Sequence, residues 1–162
     1  MVHDSETING VEVRAGYLPV PHAFVDSEHG TAIVLGRAPG WINELDRAME
    51  ATRYEAPIFA VNAYADDHYE GISCLVDHWV SVHGSLFGDY GEGFLPTRHT
   101  VKPVESAKNA DVRWPLVGTA NGSSALTATL IALMMGYENV IVAGVHLNNT
   151  TKFLDDGKKV LD

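Results

Sequence analysis

The chain reads as one α/β domain with a mostly parallel central sheet, and three features of the sequence predict it. Short continuous apolar runs at residues 31–35, 58–62, 72–77 and 139–145 suit strands buried on both faces. Helical patterns stand between them, one amphipathic and one apolar nearly all round. Glycine, proline, asparagine or serine punctuates the junctions. The 162 residues match one domain and can bury a core without disulfide or metal staples.

Residues 1–30, rich in Gly, Pro and acidic groups, read as an N-terminal arm. Within it, Ile8-Asn9-Gly10-Val11-Glu12-Val13 sets an Asn-Gly turn beside apolar alternation, the signature of a small hairpin or edge strand. Thr31-Ala32-Ile33-Val34-Leu35 is the first core strand. After Gly36-Arg37-Ala38-Pro39-Gly40, the residues Trp41, Ile42, Leu45, Ala48 and Met49 recur at helical spacing. Ile58 to Asn62 and Ile72 to Asp77 read as the next two strands.

Residues 84–115 lose all period and read as an irregular insertion or lid with a short strand near Thr100 to Val104. Ser123 to Met135 reads as a helix that must be buried, because its apolar residues surround it. Gly136 stands where a helix end uses a left-handed backbone, and Asn139 to Val145 is another central strand. This order predicts a doubly wound, Rossmann-like three-layer sandwich, residues 1–162 forming one nucleotide-binding-like domain. The polar tail from Asn148 reads as a frayed end or the start of something further.

The formal net charge is −10, and no cluster of Lys and Arg could track a nucleic-acid backbone, so duplex DNA or RNA is not expected as a partner. A small anion is a different matter, since a few backbone N–H groups and one Arg can hold a phosphate locally. The lone Cys74 lies in an apolar run and reads as a buried thiol, in keeping with a reducing cytoplasm. The polar, acidic start lacks a signal-peptide pattern, and no apolar run approaches the roughly 18 residues of a membrane span, so no membrane association is expected.

In doubly wound sheets ligands sit outside the carboxyl ends of the strands. Gly36, Arg37 and Ala38 open the first such loop, either a phosphate cradle or a plain tight turn with Arg37 in solvent. The loop matches neither the dinucleotide glycine fingerprint nor a Walker loop. Asn121, Gly122, Ser123 and Ser124 open the apolar helix, as a nest of donors for a phosphate or ribose or as an ordinary cap. Asn62 and Asp77, each ending an apolar run, would project toward the same edge and hydrogen-bond a base or ribose; the alternative is capping or turn formation.

His146 follows the last strand and is the candidate general acid or base, against a structural reading of a lone histidine. No histidine spacing specifies a metal site: His78 and His83 would need tertiary convergence with Asp66, Asp67 and His68. Neither metal nor separate cofactor is expected. No Gly-x-Ser-x-Gly elbow occurs, which disfavours a serine hydrolase.

Two segments carry a family resemblance. Ala32-Ile33-Val34-Leu35-Gly36-Arg37-Ala38-Pro39-Gly40 resembles a strand running into a Gly-Asn-Gly-Pro-Ser-Leu-like loop, and Val61-Asn62 a strand ending in Asn. Ser123-Ser124 through Met135-Gly136-Tyr137 and Val140-Ile141-Val142-Ala143-Gly144-Val145-His146 is similar to a helix, a Leu-Gly-Tyr turn and a strand ending in Gly-Ile-Asp. This is the arrangement of the bacterial sialyltransferase-like and pterin-pyrophosphokinase-like Rossmann family. His146 stands where that family has an acid, and no residue up to Asp162 matches its downstream histidine.

The resemblance implies a nucleotide-sugar-dependent glycosyltransferase-like protein. In it Gly36, Arg37, Ala38 and residues 121–124 would hold the phosphate, Asn62 and Asp77 the base or ribose, and His146 would act on the acceptor. The alternative is a non-catalytic module that senses or sequesters a nucleotide, or an accessory subunit completed by another chain, with a homo-oligomer as one form of that. A compact, divergent chain of this kind suits a phage or bacterial accessory gene.

Overall fold

A computed structural model describes residues 5–8, 11–14, 30–62, 75–82, 96–101, 109–114, 123–145, 154–155 and 158–159. Its elements are β1 (Ser5–Ile8), β2 (Val11–Arg14), β3 (Thr31–Leu35), α1 (Trp41–Ala51), β4 (Ile58–Val61), β5 (His78–Val80), β6 (Thr97–Thr100), β7 (Val112–Arg113), α2 (Ser124–Met134), β8 (Asn139–Ala143), β9 (Leu154–Asp155) and β10 (Lys158–Lys159). The main sheet runs β1-β2-β7-β6-β5-β4-β3-β8, and β9 pairs with β10 separately. From β7 to β8 the six strands are parallel, while β1 and β2 form a hairpin added antiparallel to β7. The arm therefore extends the sheet, with the Asn9-Gly10 pair between Ile8 and Val11 as its sequence predicts.

The period of two in β3 decides the layers. Ala32 and Val34 face a core shared with Phe59, Val61, Val80, Val112, Trp114 and the α2 residues Ala128, Ile131 and Ala132. Ile33 and Leu35 face the opposite core, with Leu45 and Ala48 of α1, Ile58, Ala60 and Ala143. Burying a side chain such as Phe59 or Ile131 contributes roughly 1.5–3 kcal/mol, so the two cores hold the helices on opposite faces. The protein is a Rossmann-like α/β three-layer sandwich with a mostly parallel sheet.

The chain order explains why the layers split. From β3 the chain crosses through α1 to β4 on one side, while α2 leads into β8 on the other side of β3. Right-handed crossovers in opposite directions put their helices on opposite faces. The carboxyl ends of β3 and β8 thus form a topological switch point. At the far end of α2, Tyr137 N–H bonds the Ala132 carbonyl and Gly136 N–H the Leu133 carbonyl, with Gly136 at φ 99°: the left-handed helix end that the sequence predicts.

Three expectations are corrected. The strand expected over 72–77 is displaced: Leu75 to Asp77 lie outside strands and β5 begins at His78, because the ladder pairs Phe59 with His78. The segment 84–115 supplies two core strands, β6 and β7, whose polar sequences Thr97-Arg98-His99-Thr100 and Val112-Arg113 show no apolar period. The helix from Ser123 is not wholly buried. Leu126, Leu133 and Met134 are close to half exposed; among the described residues α2 packs on the sheet below it.

Candidate functional site

The parallel strands and both helix starts define the carboxyl rim, where two corners form. At the first, the β3 and β8 ends touch backbone to backbone. Gly36 N–H donates to the Ala143 carbonyl and Ala38 N–H to the Gly144 carbonyl, each at 2.8 Å. A Cβ on Gly36 would strike the Gly144 carbonyl, and one on Gly144 would strike the Gly36 carbonyl. Glu44, in the first turn of α1, accepts from Gly144 N–H at 2.6 Å. The positive end of α1 is thereby partnered by a carboxylate of the chain itself. Two loop N–H groups expected to cradle an anion are committed to carbonyls. Arg37 is half-buried beside them.

The second corner lies on the α2 face. Asn62 follows β4 in a left-handed conformation, φ 61°, and its N–H bonds the Val80 carbonyl. The Trp79 indole donates to its carbonyl. The Ser124 hydroxyl donates to Asn62 Oδ1 and sits 3.4 Å from Val82 N. Ser123 is the N-cap, its Oγ accepting from Leu126 N–H at 3.2 Å, and its carbonyl accepts the Thr127 N–H and hydroxyl. Among the described residues, the Ser124 and Ala125 N–H groups at the start of α2 have no partner.

The structure therefore brings Asn62, Ser123 and Ser124 together and sets Gly36, Arg37 and Ala38 on the same rim across the sheet. No described hydrogen bond links the two corners. Asp77 is not there, which corrects its expected position. It precedes β5, bonded to Ile58 at the start of β4, and so lies on the amino rim. Its Oδ2 accepts from Ile58 N–H at 2.9 Å, so it works as a strand-start clamp; partial desolvation raises its carboxyl above the usual carboxylate value. Asn121, Gly122 and His146, like Cys74, His68 and His83, lie outside the described residues.

Sequence reasoning missed a polar chain buried on the α2 face. The Trp114 indole N–H donates to His99 Nδ1 at 3.0 Å, and His99 Nε2 lies 3.0 Å from His78 Nδ1. An indole can only donate, so His99 Nδ1 is an acceptor and its proton sits on Nε2. That proton points at His78 Nδ1, which leaves His78 its own proton on Nε2. Phe59 stacks on His78 with centroids 4.2 Å apart. Burial keeps both imidazoles neutral, lowering His78 to about 4 and His99 well below its ordinary value. The residues were in view, but only strand pairing reveals their alignment.

This chain predicts an acid-sensitive fold. Above pH 6.5 both folded and unfolded imidazoles are neutral; below it the unfolded chain takes up protons that the core refuses. Stability falls as pH drops from 6.5 to about 4, by about 3 kcal/mol through His78 alone. Asp77 has the opposite sign, its contribution being full below 3.8 and lost as pH rises through its raised value, but much of it stays in water and the effect is small. Urea unfolding against pH checks this: His78→Asn should flatten the slope between pH 6.5 and 4.

Among the described residues no group of three or more His, Cys, Asp or Glu could hold a metal, and no helix is long and apolar enough to cross a membrane. Comparison with protein-family models, curated proteins and solved structures returned no match. What the fold defines is the class, a Rossmann-like α/β protein with its switch point between β3 and β8.

Proposed function

We propose that this chain binds the phosphate of a nucleotide or nucleotide-sugar at the start of α2, and that it acts as a glycosyltransferase-like protein. The observation that carries the reading is the junction of Asn62, Ser123 and Ser124 on the carboxyl rim, at the helix start where the Ser124 and Ala125 N–H groups have no partner among the described residues. Asn62 holds a left-handed backbone there, a conformation that costs free energy and is fixed here by three hydrogen bonds. A phosphate at this place would accept from the α2 amides and from the Ser124 hydroxyl after it turns from Asn62. Neutralising a leaving phosphate by fixed donors is the contribution such a corner makes to transfer, with His146 as acceptor base.

The Glu44 carboxylate on Gly144 favours a second reading. With the first corner closed by its own anion, the rim offers one phosphate position among the described residues, which fits a module that binds a nucleotide without turning it over. Calorimetry against nucleotides and nucleotide-sugars separates the two. Binding is expected to weaken roughly tenfold to a hundredfold in Ser124→Ala, as for a lost hydrogen bond to a charged group. Release of free nucleotide from a nucleotide-sugar supports transfer; binding without release supports the module. No binding across the panel removes both.

A further inference from the structure

We infer that β8 is the pairing edge of a symmetric homodimer, in which the β8 strands of two copies join antiparallel about a two-fold axis perpendicular to the sheet. β8 ends the eight-stranded sheet, pairs with β3 over an unbroken register from Asn139 to Ala143, and among the described residues nothing pairs with its other side. An open strand edge offers alternating N–H and C=O groups, so the occupant it fits is another strand.

Sheet proteins guard such edges with charge, proline or a bulge. Asn139-Val140-Ile141-Val142-Ala143 has none of them, whereas the strand at the opposite edge, β1, carries Glu6. Val142 is 46% exposed, on the same side of the sheet as Val140 and α2, and the two helices packed on β8 add exposed Ile42 and Met134.

A second copy is the occupant that the strand's own register selects, because Val140-Ile141-Val142 is self-complementary about Ile141 in an antiparallel pair. The chain carries −10, yet β8 presents no acidic group that would attract a basic strand or repel an identical one. Pairing centred on Ile141 sets Val140 of one copy opposite Val142 of the other, twice by symmetry, and keeps both α2 helices on one face. Valine pairs across an antiparallel ladder are favourable. Because the rest of each copy is acidic, association should tighten as salt screens the repulsion.

Sedimentation velocity on the full chain over a concentration series, at low and high salt, tests this. The expected result is a monomer–dimer equilibrium that shifts toward dimer with salt. Val142→Lys places like charges across the two-fold at an exposed position and should raise the dissociation constant at least roughly tenfold. Leu75→Lys, exposed ahead of β5 at the amino rim, should leave it unchanged. Hydrogen exchange gives a readout without substitution: β8 amides should slow with concentration while those of α1 do not. A monomer at every concentration and salt, or a dimer indifferent to Val142→Lys, overturns the inference.

Discussion

Asp111→Ala is expected to destabilise the protein by roughly 3–5 kcal/mol, among the largest effects available to a single substitution. Asp111 is fully buried and accepts from Arg98 Nε and Nη2 and from Arg98 N–H, each at 2.8 Å. Asp111 N–H returns a bond to the Arg98 carbonyl. The pair ties the start of β6 to the residue before β7, so it fixes the start of β7 as well as neutralising a guanidinium whose side chain is only 11% exposed. Removing the carboxylate leaves that cation in the interior with its fork-shaped partner gone. Urea unfolding should show a lower midpoint with an unchanged slope. The double variant Arg98→Met with Asp111→Leu should recover much of the loss, because no unpaired charge remains. A single variant as stable as the parent would show that the pair is screened by solvent.

Gly144→Ala should cost on the order of 2–5 kcal/mol, by two mechanisms that can be separated. At φ 63° the residue occupies the left-handed region, and an added Cβ would strike the Gly36 carbonyl and lie 2.6 Å from the Trp41 Cβ. Neither neighbour is the far end of a flexible chain. The strands would have to part at the switch point, loosening the Gly144 bond to Glu44. Gly40→Ala is the control: φ is 86° there, but the added atom meets nothing within 4 Å. It should show the conformational cost alone, about 1–2 kcal/mol. Thermal unfolding of the two side by side measures the steric part as the difference; equal losses would mean that the β3 and β8 ends yield easily.

The candidate site was legible in part, for a physical reason. Asn62 and the Ser123-Ser124 helix start were visible because small polar residues closing an apolar run or opening a helix have few local roles. Their meeting in space depends on β4 lying beneath α2, which no local pattern encodes. In the sequence Glu44 is one of the polar residues between the apolar positions of α1; that it reaches Gly144, far along the chain, follows from β8 pairing beside β3. The rim on which Asp77 lies turns on a single strand boundary. A strand beginning at His78 instead of ending at Asp77 moves the carboxylate from one rim of the sheet to the other.

By itself the sequence determined the α/β class, strands β3, β4 and β8, both helices, the N-terminal hairpin and the glycine stop at Gly136, all of them set by local period or backbone preference. Tertiary structure alone decided β5, β6 and β7, the buried Trp114-His99-His78 chain, the Arg98–Asp111 pair and the closure of Gly36 on Gly144. The dividing line is how polarity is satisfied. An apolar strand announces its burial in its own residues, whereas a strand such as Thr97-Arg98-His99-Thr100 is buried only because distant partners meet its polar groups. Those partners exist only once the sheet has formed.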